Sequence, residues 1–335
     1  MISSIWAEFA ACLFLIGYAG TRLSFYGDVI ADKTGLSGSW VGLVMLATAT
    51  SLPELITGLS SVTLAAVPNI AVGNVLGGCV FNLVILVVVD FLHRKESIYR
   101  RASQGHILSA GFGVIMIGLV GFNVLLGLRN AWAIGHVGAY TPVIVLMYLI
   151  AVRAIFLYEK QQMIEFTEDV TDRYADTSLR RAVAGYAWAA AIVIAAGVWM
   201  PFIANRLAMA MGWHTSFVGT LLVPVVTSMP ELTVTLGALR LGALDMAIAN
   251  LLGSNLFNIV IIAIDDLFYR PGPLLSHVSA IHAASAMSAV IMTGLAIVGI
   301  LYRPETRILK TVGWISLGLF TIYLLNSTVF YLHSE

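Results

Sequence analysis

Thr50-Ser51-Leu52-Pro53-Glu54-Leu55, echoed by Thr227-Ser228-Met229-Pro230-Glu231-Leu232, sets a carboxylate beside a proline inside apolar sequence. A charge near the middle of a membrane is costly, so an ionisable residue kept there marks a functional position. The proline removes a backbone N–H and bends a helix, which frees carbonyls one turn earlier to face a bound cation. One such element in each half is what a cation site at a repeat interface requires.

The surrounding composition makes this a membrane argument. Charged residues are 11% of the 335 and apolar ones 59%, against roughly 25% and 45–50% in soluble domains. The chain therefore reads as an all-α, multi-pass membrane protein whose first partner is the lipid bilayer. Eighteen Lys and Arg balance eighteen Asp and Glu, and that balance gives no reason to expect nucleic acid or another polyanion. Cys12 and Cys79 lie far apart in apolar stretches, so they are expected as buried small side chains and not as a disulfide. The first apolar stretch has no basic residue ahead of it and no small-residue cleavage pattern; it is expected to be a retained span.

Allowing about 20 apolar residues per span, helices are predicted near 5–21, 36–66, 70–90, 105–127, 133–157, 182–204, 215–239, 246–268, 277–301 and 309–332. The second and seventh carry the Pro-Glu motifs and should be broken there.

A repeat runs through these ten. Trp40-Val41-Gly42 answers Phe217-Val218-Gly219, and Ser51-Leu52-Pro53-Glu54 answers Ser228-Met229-Pro230-Glu231, at an offset of 177. Farther on, the stretch from Gly73 to Asn82 matches that from Ala249 to Asn258 at an offset of 176, and Asp90 matches Asp266. Five helices per repeat is an odd number, so the second half enters the membrane from the opposite side: residues 1–157 and 182–335 are expected as inverted repeats joined by a linker at 158–181. With that topology, 15 of the 18 basic residues fall on the side away from the N-terminus. By the positive-inside rule that side is cytoplasmic and both termini are outside, as in a plasma (inner) membrane protein.

Each motif also carries a hydroxyl pair one turn before its carboxylate: Thr50 and Ser51 before Glu54, Thr227 and Ser228 before Glu231. Residues four apart share a helical face, so hydroxyls, carboxylates and freed carbonyls can form the all-oxygen shell that hard cations prefer. Asn82 and Asn258 are expected to line this site, with Asn74 and Asn250 holding helices together. Gly73, Gly77, Gly78, Gly253 and Ser254 are small residues that let helix backbones approach. Asp90 and Asp266 fall at predicted helix ends and are expected to be solvated. The seven histidines show no ligand spacing, and neither a resident metal nor a cofactor is expected.

The paired Thr-Ser-Leu/Met-Pro-Glu-Leu motifs, each followed about twenty residues later by Gly/Ala-Asn-x-Leu-Gly-x-x-x-Phe-Asn, resemble the two alpha repeats of the calcium/cation antiporter superfamily, sodium/calcium exchanger type. The resemblance spans essentially the whole chain. It implies a secondary antiporter in which four core helices cage Ca2+ or Na+ while the first and sixth helices slide to alternate access. It also implies Glu54 and Glu231 as shared ligands, Thr50, Ser51, Thr227 and Ser228 as site oxygens, and Ser254, Asn82 and Asn258 as flanking sodium or water ligands. Ala47 and Pro224 fall where the family uses backbone carbonyls. Gly78-Cys79 stands where the usual pattern has Ser-Asn, which removes a hydroxyl and an amide from the first repeat, and Pro224 is an unusual occupant.

The leading expectation is Ca2+/Na+ antiport. The alternative is Ca2+/H+ exchange on the same glutamates, since two carboxylates can neutralise one Ca2+ or take up two protons. An intramembrane carboxylate enzyme and a cation channel rank lower: the enzyme leaves the mirrored hydroxyls unexplained, and inverted repeats around broken helices fit alternating access.

Overall fold

The two motif prolines act on the backbone in the same way. Just before each Pro-containing helix the chain leaves helical geometry at a serine, with φ −86° and ψ 9° at Ser51 and φ −87° and ψ 13° at Ser228. A computed structural model describes residues 2–34, 48–93, 96–127, 132–163, 177–240, 242–304, 307–308 and 312–333. The elements are α1 Ile2–Lys33, α2 Leu52–Thr63, α3 Pro68–Leu92, α4 Gly105–Gly127, α5 Tyr140–Met163 and α6 Leu179–Met211. They continue as α7 Thr215–Thr227, α8 Met229–Arg240, α9 Leu244–Phe268, α10 His282–Tyr302 and α11 Trp314–His333. Eight of these are long and apolar enough to cross a membrane, and α7 with α8 makes a ninth candidate, bent by 43° at Ser228.

Inside α7, residues Val218–Leu222 form a π-helical turn that ends two positions before Pro224. Proline lacks the N–H that an α-helix would use at this point, and a widened turn is one way the helix absorbs that loss. In the predicted span 36–66, helix is described from Thr48 to Thr50 and over α2; residues 36–47 lie outside the described set.

Two predicted helix starts are corrected. The spans predicted from 133 and 309 begin late: β1 (Ala133–Ile134) pairs antiparallel with β2 (Val137–Gly138), β3 (Arg307–Ile308) pairs antiparallel with β4 (Val312–Gly313), and the helices start only at Tyr140 and Trp314. The ninth predicted span likewise starts late, at His282 after a 3-10 turn, Leu274–Ser276.

Contacts at the helix ends define two faces. Glu8 pairs with Arg206, Trp6 packs edge-on to Trp213, and Asn69 Oδ1 accepts from Ser279 N at 2.7 Å; these mark the N-terminal face. On the far face Asp245 Oδ1 accepts from Ser103 N at 2.8 Å and meets His106 Nε2 at 2.9 Å. Between the faces, α3 and α9 are buried along most of their length by Val75, Leu76, Leu83, Leu256, Ile259 and Ile262.

Asp90 and Asp266 are not solvated: both are fully buried. Asp90 accepts from Ile98 N (3.2 Å), Gly313 N (2.9 Å) and Ser316 Oγ (2.8 Å). Asp266 accepts from Leu274 N (2.7 Å), Gly138 N (2.8 Å), Tyr140 Oη (2.6 Å) and Thr141 Oγ1 (2.5 Å). A carboxylate surrounded by this many donors offsets its own desolvation. The contacts also cross: Asp90 of the first half holds the hairpin before α11, and Asp266 of the second half holds the hairpin before α5.

Candidate cation-binding site

The breaks at Ser51 and Ser228 bring the two motifs together with their hydroxyls exchanged. Ser228 Oγ donates to Glu54 Oε1 at 2.9 Å, and Ser51 Oγ donates to Glu231 Oε1 at 3.2 Å. Each bond crosses from one motif to the other. Glu54, Glu231, Thr50, Ser51, Thr227 and Ser228 are all fully buried, and each glutamate keeps Oε2 without a hydrogen-bond partner among the described residues. Two buried carboxylates whose second oxygens are both left over are suited to share a positive ion, because their mutual repulsion falls only when a proton or cation sits between them.

Hydroxyls and amides extend the shell. Thr50 Oγ1 and Ser254 Oγ lie 3.3 Å apart. Thr227 Oγ1 donates to Asn74 Oδ1 at 2.8 Å, while Asn74 Nδ2 donates to the Glu54 carbonyl at 3.3 Å. Asn74 thus ties α2, α3 and α7 together beside the carboxylates. Asn250 donates to Thr235 at 3.3 Å, joining α9 to α8. Asn258 is fully buried, and among the described residues neither of its amide atoms nor the Oδ1 of Asn82 has a hydrogen-bond partner. These leftover acceptors accompany the two Oε2 atoms.

The glycines divide by what they face. A Cβ on Gly73 would fall 2.8 Å from the Gly219 carbonyl carbon, and one on Gly77 would collide with the Thr220 carbonyl and lie 2.7 Å from Pro224 Cγ; these two let α3 lie against α7. Gly78 faces the site instead: its Cβ would lie 3.1 Å from Asn258 Nδ2 and 3.7 Å from Ser228 Oγ. The Pro224 carbonyl already accepts from Ser228 N at 2.9 Å, leaving one lone pair. Ala47 lies outside the described residues.

Two residues with no assigned role in the sequence reading matter here. Asn255 accepts from Asn82 Nδ2 at 2.9 Å and donates to the Cys79 carbonyl at 3.2 Å, fixing α3 against α9; Cys79 and Cys12 are buried and unbridged. Asp265 is fully buried, and neither of its carboxylate oxygens has a hydrogen-bond partner among the described residues. Its signal in the sequence is a mismatch: at the offset of 176 its partner is Val89. No group of three His, Cys, Asp or Glu side chains gathers among the described residues, so the cluster draws its oxygens from two acids, hydroxyls and amides.

The chain is similar to known proteins over most of its length. A family model described as sodium/calcium exchanger protein matches residues 4–158 and 181–329. The sodium/calcium exchanger MaX1 of Methanosarcina acetivorans is 29% identical over 286 residues, covering 72% of this chain and 77% of its own. Among solved structures, the H+/Ca2+ exchanger CAX superposes with a TM-score of 0.70 at 12% identity, covering 97% of this chain and 85% of that one. The sodium-calcium exchanger NCX_Mj, soaked with Na+ and Sr2+, gives 0.59 at 18% identity over 97% and 98%. At these identities the two structures report a shared fold.

Proposed function

We propose that this chain, which belongs to the sodium/calcium exchanger protein family, exchanges Ca2+ for Na+ across the membrane by alternating access, with Glu54 and Glu231 as the shared cation ligands. The observation that carries this reading is the crossed pair of hydroxyl–carboxylate bonds, which leaves Oε2 of each buried glutamate without a hydrogen-bond partner among the described residues. Thr50, Ser51, Thr227, Ser228 and the Pro224 and Ala47 carbonyls complete the central oxygens, with Ser254, Asn82 and Asn258 flanking. Ten spans as two inverted five-helix repeats, 1–157 and 182–335, with a linker at 158–181, agree with the face-by-face contacts of the helix ends.

A register difference supports the sliding of α1 and α6. Gly20 and Gly197 correspond at the offset of 177, as do Pro53 and Pro230. A Cβ on Gly20 would lie 3.0 Å from Pro230 Cβ, whereas one on Gly197 would lie 3.1 Å from the Cβ of Ile56, three residues past Pro53. Three residues is about 4.5 Å of helix. Next to it, Ser60 Oγ donates to the Val198 carbonyl at 2.7 Å, while nothing described lies within 4 Å of a Cβ on Gly237, the residue matching Ser60. α6 thus covers the N-terminal-face half of α2, and the equivalent half of α8 is left open toward the far face. Exchanging these registers, Gly197 onto Pro53 and Gly20 onto Thr233, closes the far face and opens the other.

With basic residues concentrated on the far face, we assign that face to the cytoplasm and both termini to the outside of a plasma membrane. Accessibility labelling of a tag at Val67-Pro68-Asn69 tests this; labelling from the cytoplasm alone would reverse it. Exchange of Ca2+ for H+ is the second reading, favoured by the bare Gly78, which offers no hydroxyl to a flanking Na+. Ca2+ flux in proteoliposomes, with Na+ and H+ gradients imposed separately, decides between them. Flux without any counter-ion on the opposite side would make the protein a channel, and hydrolytic activity with no ion movement would make it an enzyme.

A further inference from the structure

The seam between α2 and α9 continues past the central site. Going toward the N-terminal face, Thr50 meets Ser254, Glu54 follows one turn later on α2 and Asn258 one turn later on α9, and then Gly58 meets Asp265. Glu54 and Gly58 are four residues apart, so they share a face and are separated by about 6 Å of helix. The Gly58–Asp265 contact is close. A Cβ on Gly58 would sit 2.9 Å from Asp265 Oδ1 and nearer still to Oδ2. Only a residue without a side chain leaves room for the carboxyl there.

We propose that Asp265 is a proton-binding site on the route between the central site and the N-terminal face. A carboxyl buried in a membrane with neither oxygen bonded needs a positive partner. Ca2+ takes 6–8 oxygens at about 2.3–2.6 Å, and Asp265 contributes two, beside a glycine and the buried Ile261 and Ile262. A proton needs one. It arrives from water at the N-terminal face as H3O+, forms an O–H bond to one Oδ and leaves H2O behind; the reverse step returns it. Among the described residues no cationic side chain bonds Asp265: Arg270 and His136, at the same end of α9, meet each other and the Leu267 carbonyl. The adjacent Asp266 is held by four donors, among them Tyr140; Glu54 lies one turn away on α2; Tyr148 of α5 packs against Phe257.

The other half lacks this feature. Asp265 matches Val89, and Gly58 matches Thr235, whose hydroxyl is already bonded to Asn250. The proposed proton site is therefore confined to one side, and cations reaching the glutamates from that side pass a group whose charge depends on external pH. This inference takes its functional meaning from the exchanger reading, but proton binding is measurable without transport.

The test is infrared difference spectroscopy of the purified full-length protein between acid and alkaline buffer, with Asp265→Asn, Asp265→Val and Glu54→Gln alongside. Loss of one protonated-carboxyl equivalent in both Asp265 variants, with that component retained in the transport-dead Glu54→Gln, is the expected result. In oriented vesicles one titrating proton gives a limiting slope of about tenfold per pH unit, and the flux remaining in Asp265→Asn should lose that dependence at the N-terminal face. An unchanged carboxyl signal in either variant that folds overturns the proposal. So does loss of one equivalent of bound Na+ or 45Ca2+ at fixed pH, which would make Asp265 a metal ligand. Failure of the parent to exchange Ca2+ defeats the exchanger reading and leaves the infrared test standing.

Discussion

Ser228 donates to Glu54 across the two motifs at 2.9 Å, so the hydroxyl of the second repeat orients the carboxylate of the first. The mirror contact runs from Ser51 to Glu231. Each glutamate is held through Oε1 by the opposite repeat, and its Oε2 has no hydrogen-bond partner among the described residues.

Glu54→Gln and Glu231→Gln are each expected to abolish Ca2+ transport at normal protein levels, because one formal charge is left to face a divalent ion. Proteoliposome 45Ca2+ uptake measures this. Near-parental flux in either variant would refute the two-glutamate site.

Gly78→Ser is expected to strengthen the Na+ dependence of Ca2+ flux and weaken drive by a pH gradient. The new side chain enters beside the unbonded Asn258 amide, 3.1 Å from its Cβ, and restores the oxygen that Ser254 supplies in the other repeat. Overpacking costs about 1–3 kcal/mol, so size-exclusion behaviour is checked first. A folded variant with parental ion dependence would make Gly78 a packing residue.

Asp266→Asn should lower thermal stability by roughly 2–4 kcal/mol, since an amide nitrogen would face the donors of Gly138 and Thr141 and bonds to a charged acceptor are lost. Thermal unfolding in detergent reads this out. An unchanged melting temperature would mean that the hairpin is held by packing alone.

A cysteine pair at Ile56 and Gly197 tests the register of α6. The two Cβ positions are 3.1 Å apart, so a separation of a few tenths of an ångström brings them to the roughly 3.5–4.5 Å of a disulfide. Oxidation of Ile56→Cys/Gly197→Cys is expected to stop transport and reduction to restore it. Full activity of the cross-linked protein would exclude sliding at this contact.

Periodic apolar content and the paired motifs carried the helices and the central cluster, because both depend on local chemistry that recurs at a fixed offset. What escaped depends on partners distant in sequence. Asp90 and Asp266 sit at helix ends, where water is the ordinary neighbour, and nothing local reveals that Gly313 and Gly138 arrive from the opposite half to cap them. The strand pairs β1–β2 and β3–β4, at the edges of apolar windows, escape for the same reason. Asp265 adjoins the matched Asp266, and its burial follows from Gly58, 207 positions away.

The crossed capping of Asp90 and Asp266 bears on how such a molecule is assembled. Each half supplies the terminal loop that seals its counterpart, so a fragment ending at 158 leaves Asp90 without Gly313 and Ser316, and a fragment starting at 181 leaves Asp266 without Gly138, Tyr140 and Thr141. Co-produced fragments have what they need to complete one another. Two copies of a single half, inserted in opposite orientations, could trade the same loops, which gives an antiparallel homodimer a structural path to becoming one duplicated chain.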